Sequence, residues 1–219
     1  MNAKHHLRRL AVAIAVFLLV AVAATAGTAR ALNPNQTAVK TIVNTVYWDL
    51  DDYWIPSRRV GVGYYDFYSS GVLVDYWTSC FHTSTAHGWE GFYCPSEESI
   101  YFDYNQQVGN VRAFGDGSTA LWTAHEYGHH VEKLLGINFR APYQELLADC
   151  LAGMYFHHGV YTSNALAVGD YGEARNQIWA LTGPDPVHGT REQRLRAFDF
   201  GFKQELNRNI CINGAGLNY

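Results

Sequence analysis

The chain has 219 residues and a net charge of −4, with 48% hydrophobic and 16% charged positions. That length bounds it to one domain with at most an appendage, and that composition excludes general disorder. No Lys/Arg cluster occurs beyond the first ten residues, so there is no basic field for nucleic acid.

Residues 1–31 read as an export signal. Lys4, Arg8 and Arg9 form a positive n-region, Leu10 to Ala24 is apolar, and Ala29-Arg30-Ala31 offers a small-x-small cleavage site. The apolar run is about 15 residues, shorter than the ~20 needed to span a bilayer. The expectation is a cleaved signal and a secreted or extracytoplasmic mature domain over 32–219. An uncleaved N-terminal anchor is the alternative, if the run continues through Thr25, Gly27 and Thr28. Arg8-Arg9 also admits twin-arginine export. His5 and His6 fall in the leader and are not counted as ligands.

Asn33 to Val46 places Val39, Ile42, Val43 and Val46 at helical spacing, which predicts a short helix. Tyr47 to Asp116 is dense in aromatic residues, glycine and turn formers and predicts strands and long loops, an aromatic-rich N-terminal elaboration. Within it, Ser99 to Tyr104 alternates like a strand that presents its edge to an extended substrate. Helices are expected after Gly117: one capped by Ser118 and ended by Gly136, one from Pro142 to His158, one over Tyr171–Leu181 and one over Arg191–Asn207. The fold class is therefore α+β, a helix-rich catalytic core with a small antiparallel sheet.

Export makes the cysteines legible. Cys80, Cys94, Cys150 and Cys211 are even in number and lack a Cys-x-x-Cys spacing, so a disulfide framework is expected rather than a zinc ribbon. Of three pairings, the favoured one joins Cys80 to Cys94 and Cys150 to Cys211.

His125-Glu126-Tyr127-Gly128-His129 carries the chemistry. Histidines four apart share a helix face, so both imidazoles can reach one zinc ion, and Glu126 can take the proton of a water that the metal activates. Gly128 in mid-helix costs about 1 kcal/mol against alanine, which close packing beneath the metal would explain. Glu145 and Asp149 share a face of the next helix amid apolar neighbours, and buried carboxylates need partners. Glu145 is assigned as third ligand and Asp149 as the acceptor that orients His125; the reverse assignment stays open.

His125-Glu-x-x-His129 followed by Glu145-x-x-x-Asp149 resembles the gluzincin metallopeptidases. More narrowly, His125 to Val131, Glu145 to Gly153 and His188-Gly-Thr-Arg-Glu-Gln-Arg194 resemble the bacterial family titled putative neutral zinc metallopeptidase, over about Tyr93 to Phe202. The segment before Tyr76 carries little resemblance. The likeness implies a zincin-like core at about 93–205, one zinc ion and a peptide or protein substrate. His188 with Arg194 is similar to the His-Pro…Arg element of the heat-shock and prenyl-protein-processing membrane peptidases, with Gly189 in place of proline. This implies that His188 stabilises the oxyanion; the alternative is a helix-capping histidine. Arg191 and Arg194 pair with Asp149 or Asp185 or lie on the helix surface, Tyr143, Tyr155 and Tyr171 are further oxyanion candidates, and His130, His157 and His158 are read as surface residues or supports behind the ligands. The competing functional reading is a non-catalytic, zinc-stabilised extracytoplasmic binding or assembly module.

Overall fold

A computed structural model describes residues 36–54, 61–65, 68–69, 72–73, 79–80, 91–181, 185–204 and 208–214. The leader reading of residues 1–31 lies outside them. Helix α1 spans Gln36–Trp54, well past Val46. The extension has a simple cause: Tyr47, Leu50 and Trp54 continue the buried stripe of Val39, Val43 and Val46 at three- and four-residue steps.

The sheet is mixed, which corrects the antiparallel expectation. Strand β1 (Gly61–Tyr65) runs parallel to β5 (Ser99–Asp103), while β4 (Gly91–Cys94) runs antiparallel to β5, in the order β1-β5-β4. A parallel pair needs a long crossover, and the intervening residues provide it. Two short strands, β2 (Tyr68–Ser69) and β3 (Val72–Leu73), pair within that crossover. Strand β5 is therefore central, with Ile100 and Phe102 fully buried. It has no free edge; the outer strand on that side, among the described residues, is β4.

The last residue of β5 starts a helix that the sequence pattern did not reveal. Asp103 Oδ1 accepts from the N–H groups of Asn105 and Gln106 at 2.8 and 3.0 Å, capping α2 (Tyr104–Phe114). Gly115, at φ +102°, turns the chain into α3 (Asp116–Leu134). Ser118, expected as the cap, lies inside the first turn with its hydroxyl on the Gly115 carbonyl. Gly136, at φ +67°, closes the helix end as expected.

Helix α3 is buried continuously from Gly117 to Gly128, so it is the axis of the core. Helices α1, α4 and α5 and strand β4 pack around it. Helix α4 (Tyr143–His158) is buried from Leu146 to Phe156. It crosses α3 at Gly128, where a Cβ would lie 3.1 Å from the Ala148 Cα, so the close packing favours the glycine. Helix α5 covers Asp170–Ala180. Helix α6 (Arg191–Lys203) opens with a reciprocal Thr190–Gln193 capping box and ends before Asn207. It lies against α4 so closely that a Cβ on Gly201 would sit 1.9 Å from the Cys150 carbonyl oxygen. A further helix, α7 (Arg208–Gly214), is tied to α4 by the Cys150–Cys211 disulfide, and Cys80–Cys94 anchors β4. Both favoured cysteine pairs are present. No helix among the described residues is long and apolar enough to cross a membrane.

Candidate metal centre

The two histidines of α3 and Glu145 of α4 meet at one point. His125 Nε2 lies 3.2 Å from Glu145 Oε2, and His129 Nε2 lies 3.7 Å from Glu145 Oε1. Each ring is anchored from behind: His125 Nδ1 is 2.9 Å from Asp149 Oδ1, and His129 Nδ1 is 3.1 Å from Glu132 Oε2. With Nδ1 engaged, Nε2 is the ring nitrogen left to face Glu145. Asp149, fully buried on α4, is also gripped by Arg194 of α6, which donates Nε at 2.7 Å and Nη2 at 2.8 Å. Three helices thus converge on one imidazole.

Electrostatics follow from this packing. Burial works against charge on His125, yet Asp149 and hydrogen bonds to Asp149 and Glu145 lift it to about 9. His129 rises well above its ordinary value as burial is outweighed by Glu132 and Glu145. Burial alone would raise Glu145, but the two imidazoles hold it far below the usual carboxylate range. Burial would also raise Asp149, and Arg194 brings it down. The cluster is built to keep positive charge between two rings and a carboxylate, which a divalent cation can supply instead of protons.

The donor set fits zinc. Nitrogen and oxygen donors each about 2 Å from a tetrahedral ion lie ~3.3 Å from one another, close to the 3.2 and 3.7 Å separations observed. His125, His129 and Glu145 offer ligand atoms that all fall within 4.8 Å of one another.

Glu126 sits beside this cluster, 6% exposed. Burial pushes its carboxyl up, partly opposed by the nearby imidazoles and by a hydrogen bond from the Tyr93 backbone N–H of β4. All four residues line a cavity of about 730 Å³ with Gly91, Phe92 and Tyr93 of β4 along one wall. Trp122 lies beneath, its ring 5.7 Å from that of His125. The strand flanking the cavity is therefore β4 and not the Ile100 strand, because β5 is paired on both sides.

His188 also faces the cluster. Its Nε2 lies 3.9 Å from Glu145 Oε2, and its Nδ1 is 2.5 Å from Asp185 Oδ2, while the side chain is half-exposed at the cavity rim. The loop is closed by paired backbone bonds between Asp185 and Gly189. Thr190, not His188, caps α6.

Other candidates lie elsewhere. Tyr143 is 42% exposed at the start of α4 and does not line the cavity. Tyr155 is buried in the core, and Tyr171 donates to Asp199 at 2.7 Å. His130 is buried against the Tyr93 hydroxyl at 2.9 Å, and His158 stacks on Tyr53. Arg191 lies over Trp179 rather than on Asp149 or Asp185. Glu132 and Trp122 were not singled out by the sequence pattern, and Asp185 was named only as a partner for an arginine, not for His188. Glu132 has the one local signal, a carboxylate three residues after a ligand histidine on the same helix.

Two histidines four apart on one helix, with a glutamate from the next helix and a second glutamate at the cavity wall, make up a candidate metal centre. The profile of the family described as "Putative neutral zinc metallopeptidase" matches residues 20–211, so the chain belongs to that family. The match takes in the aromatic stretch before Tyr76, which the motif resemblance did not reach. The chain is 29% identical over 210 residues to "Uncharacterized protein YpfJ" of Escherichia coli K12, covering 79% of this chain and 71% of that protein. It is 30% identical over 158 residues to "Uncharacterized protein Rv2575" of Mycobacterium tuberculosis H37Rv, covering 55% of this chain and 53% of that protein. The same figures hold for "Uncharacterized protein Mb2605" of Mycobacterium bovis. No solved structure matches.

Proposed function

We propose that residues 32–219 form one zincin-like domain that hydrolyses peptide bonds outside the cytoplasm, with a catalytic core at about 93–205 and one zinc ion held by His125, His129 and Glu145. The observation that carries this reading is the position of Glu126. A purely structural metal site has no use for a buried carboxylate beside the ligands at the wall of a large cavity, and here the Tyr93 N–H fixes that carboxylate in place.

Zinc, when bound, supplies a Lewis acid that polarises the scissile carbonyl and acidifies a water. Glu126 takes the proton of that water and delivers it to the leaving amine. His188, with Nδ1 engaged by Asp185, turns Nε2 toward the cluster and, in the form that carries a proton on both ring nitrogens, donates to the developing oxyanion. Asp149 and Arg194 hold the His125 ring in register. Strand β4 receives an extended substrate along its outer side. The two disulfides fit an oxidising compartment and an exported chain.

The test is Glu126→Gln in the zinc-loaded mature protein, assayed against a mixed peptide library. Cleavage is expected to fall by about 10²–10⁴-fold while zinc content by elemental analysis stays at one ion per chain. Undiminished turnover overturns the catalytic assignment. Peptide binding by the wild-type protein with no cleavage favours the binding-module reading instead.

A further inference from the structure

The two ligand imidazoles are backed by carboxylates of very different character. Asp149 has three hydrogen bonds, two from Arg194 and one with His125 Nδ1, so its charge is matched by a guanidinium. Glu132 is just as deeply buried, at 1% exposed. Its Oε2 meets His129 Nδ1 at 3.1 Å, and its Oε1 is buried with no hydrogen-bond partner among the described residues. A buried carboxylate with one partner is costly for folding alone, and a buried orphan oxygen calls for a cause. Lys133, the adjacent cation, points outward to Glu98 and the Pro95 carbonyl.

We infer that Glu132 is the positioning residue for the second ligand. Resting on the zinc reading above, it holds His129 in the Nδ1–H tautomer, keeps Nε2 aimed at the metal and sets a carboxylate behind that ring. Its arrangement mirrors Asp149 behind His125, with the difference that no guanidinium tempers it. A cation on the far side of the ring polarises the Nδ1–H toward Oε2, so the lone bond to Glu132 is strengthened when the metal is present. Glu132 touches no substrate and acts only through His129. The alternative, a polar residue that merely stabilises α3, would make its contribution in the metal-free protein.

Zinc affinity of the mature protein is measured by competition with a chelator, together with the melting temperature of the metal-free form. Glu132→Gln is expected to weaken zinc binding by about 10–100-fold without lowering the metal-free melting temperature. Affinity within twofold of wild type overturns the inference, as does a drop in metal-free stability with affinity unchanged. If the variant does not fold, cobalt-loaded wild-type protein gives an independent readout. Two exchange-protected imidazole Nδ1–H proton resonances are expected, one for each ligand ring, and a single one overturns the proposal. Failure of the wild-type protein to bind zinc or cobalt overturns the metal reading itself, and the inference falls with it; a metal-binding wild type with an unaffected variant overturns Glu132 alone.

Discussion

Each half of helix α3 contributes to a cluster of candidate ligand groups, and the two clusters behave in opposite ways. Toward its C-terminal half, His125, His129 and Glu145 bring ligand atoms within 4.8 Å of one another; at its start, Asp116, Asp170 and Glu173 do the same. In the first cluster Glu145 is held far below the usual carboxylate range, because two imidazoles outweigh its burial. In the second, burial pushes Asp170 up to about 7, with Asp116 and Glu173 adding to the rise against the Ala167 N–H. Glu173 is raised too, burial being the main cause. The N-terminal acids are served by backbone donors: Asp170 accepts from Ala167 N and Glu173 from Gly117 N, both at 2.9 Å. That suits the positive end of a helix. Proximity of carboxylates is common to both ends; imidazoles and a guanidinium distinguish the one that is organised around positive charge.

The sharpest way to break this contrast is to remove the guanidinium. Arg194→Leu leaves Asp149 buried and unpaired from its main partner, and chemical denaturation is expected to show a loss of about 3–5 kcal/mol. The Arg194→Leu, Asp149→Leu double variant should recover much of that. A loss below ~1 kcal/mol would mean that the ion pair is not what holds α6 to the site. Next in size, Glu145→Gln should weaken zinc binding by about a hundredfold or more, at or beyond the loss typical of an outer partner. The matched change at the other end of α3, Glu173→Gln, should leave zinc affinity untouched. Full zinc occupancy without Glu145 would move the third-ligand role to Asp149 or elsewhere.

The smallest effect concerns pH. In the folded chain Asp170 keeps its proton to about 7, whereas an unfolded aspartate loses it near ~3.9. Between those values the native state binds more protons than the unfolded one, so this group's contribution to stability declines as pH rises and is lowest above 7. Asp170→Asn should therefore stabilise the protein at pH 8, by on the order of 2 kcal/mol, and have little effect near pH 4. Equal effects at the two pH values in thermal melts would show that Asp170 ionises normally.

What the sequence made legible was whatever depends on local spacing. His125 and His129 fall four apart, Glu145 and Asp149 fall four apart in an apolar helix, and these four side chains do gather. The favoured cysteine pairing, read from an even count and chain order, is present. Less visible was everything fixed by long-range packing. That β5 is central depends on β1 pairing with it across the intervening crossover. Glu132 looks like part of a solvated face until α3 is surrounded on every side. Helix α2 has few apolar positions and depends on the Asp103 cap, and α1 outran its predicted end because aromatic residues that favour strands also complete a helical stripe.

The contact between α4 and α6 has a consequence for what this site can tolerate over time. Gly153 would place a Cβ 2.0 Å from the Phe198 carbonyl oxygen, and Gly201 would place one 1.9 Å from that of Cys150. Asp149 and Arg194 ride on these same two backbones, so the reach of the guanidinium is set by the absence of two methyl groups on residues that never approach the cavity. A mutational survey scored by catalytic output would thus find intolerance at positions with no chemistry of their own. There the limiting quantity is the spacing between helices, relayed through one ion pair to the orientation of an imidazole.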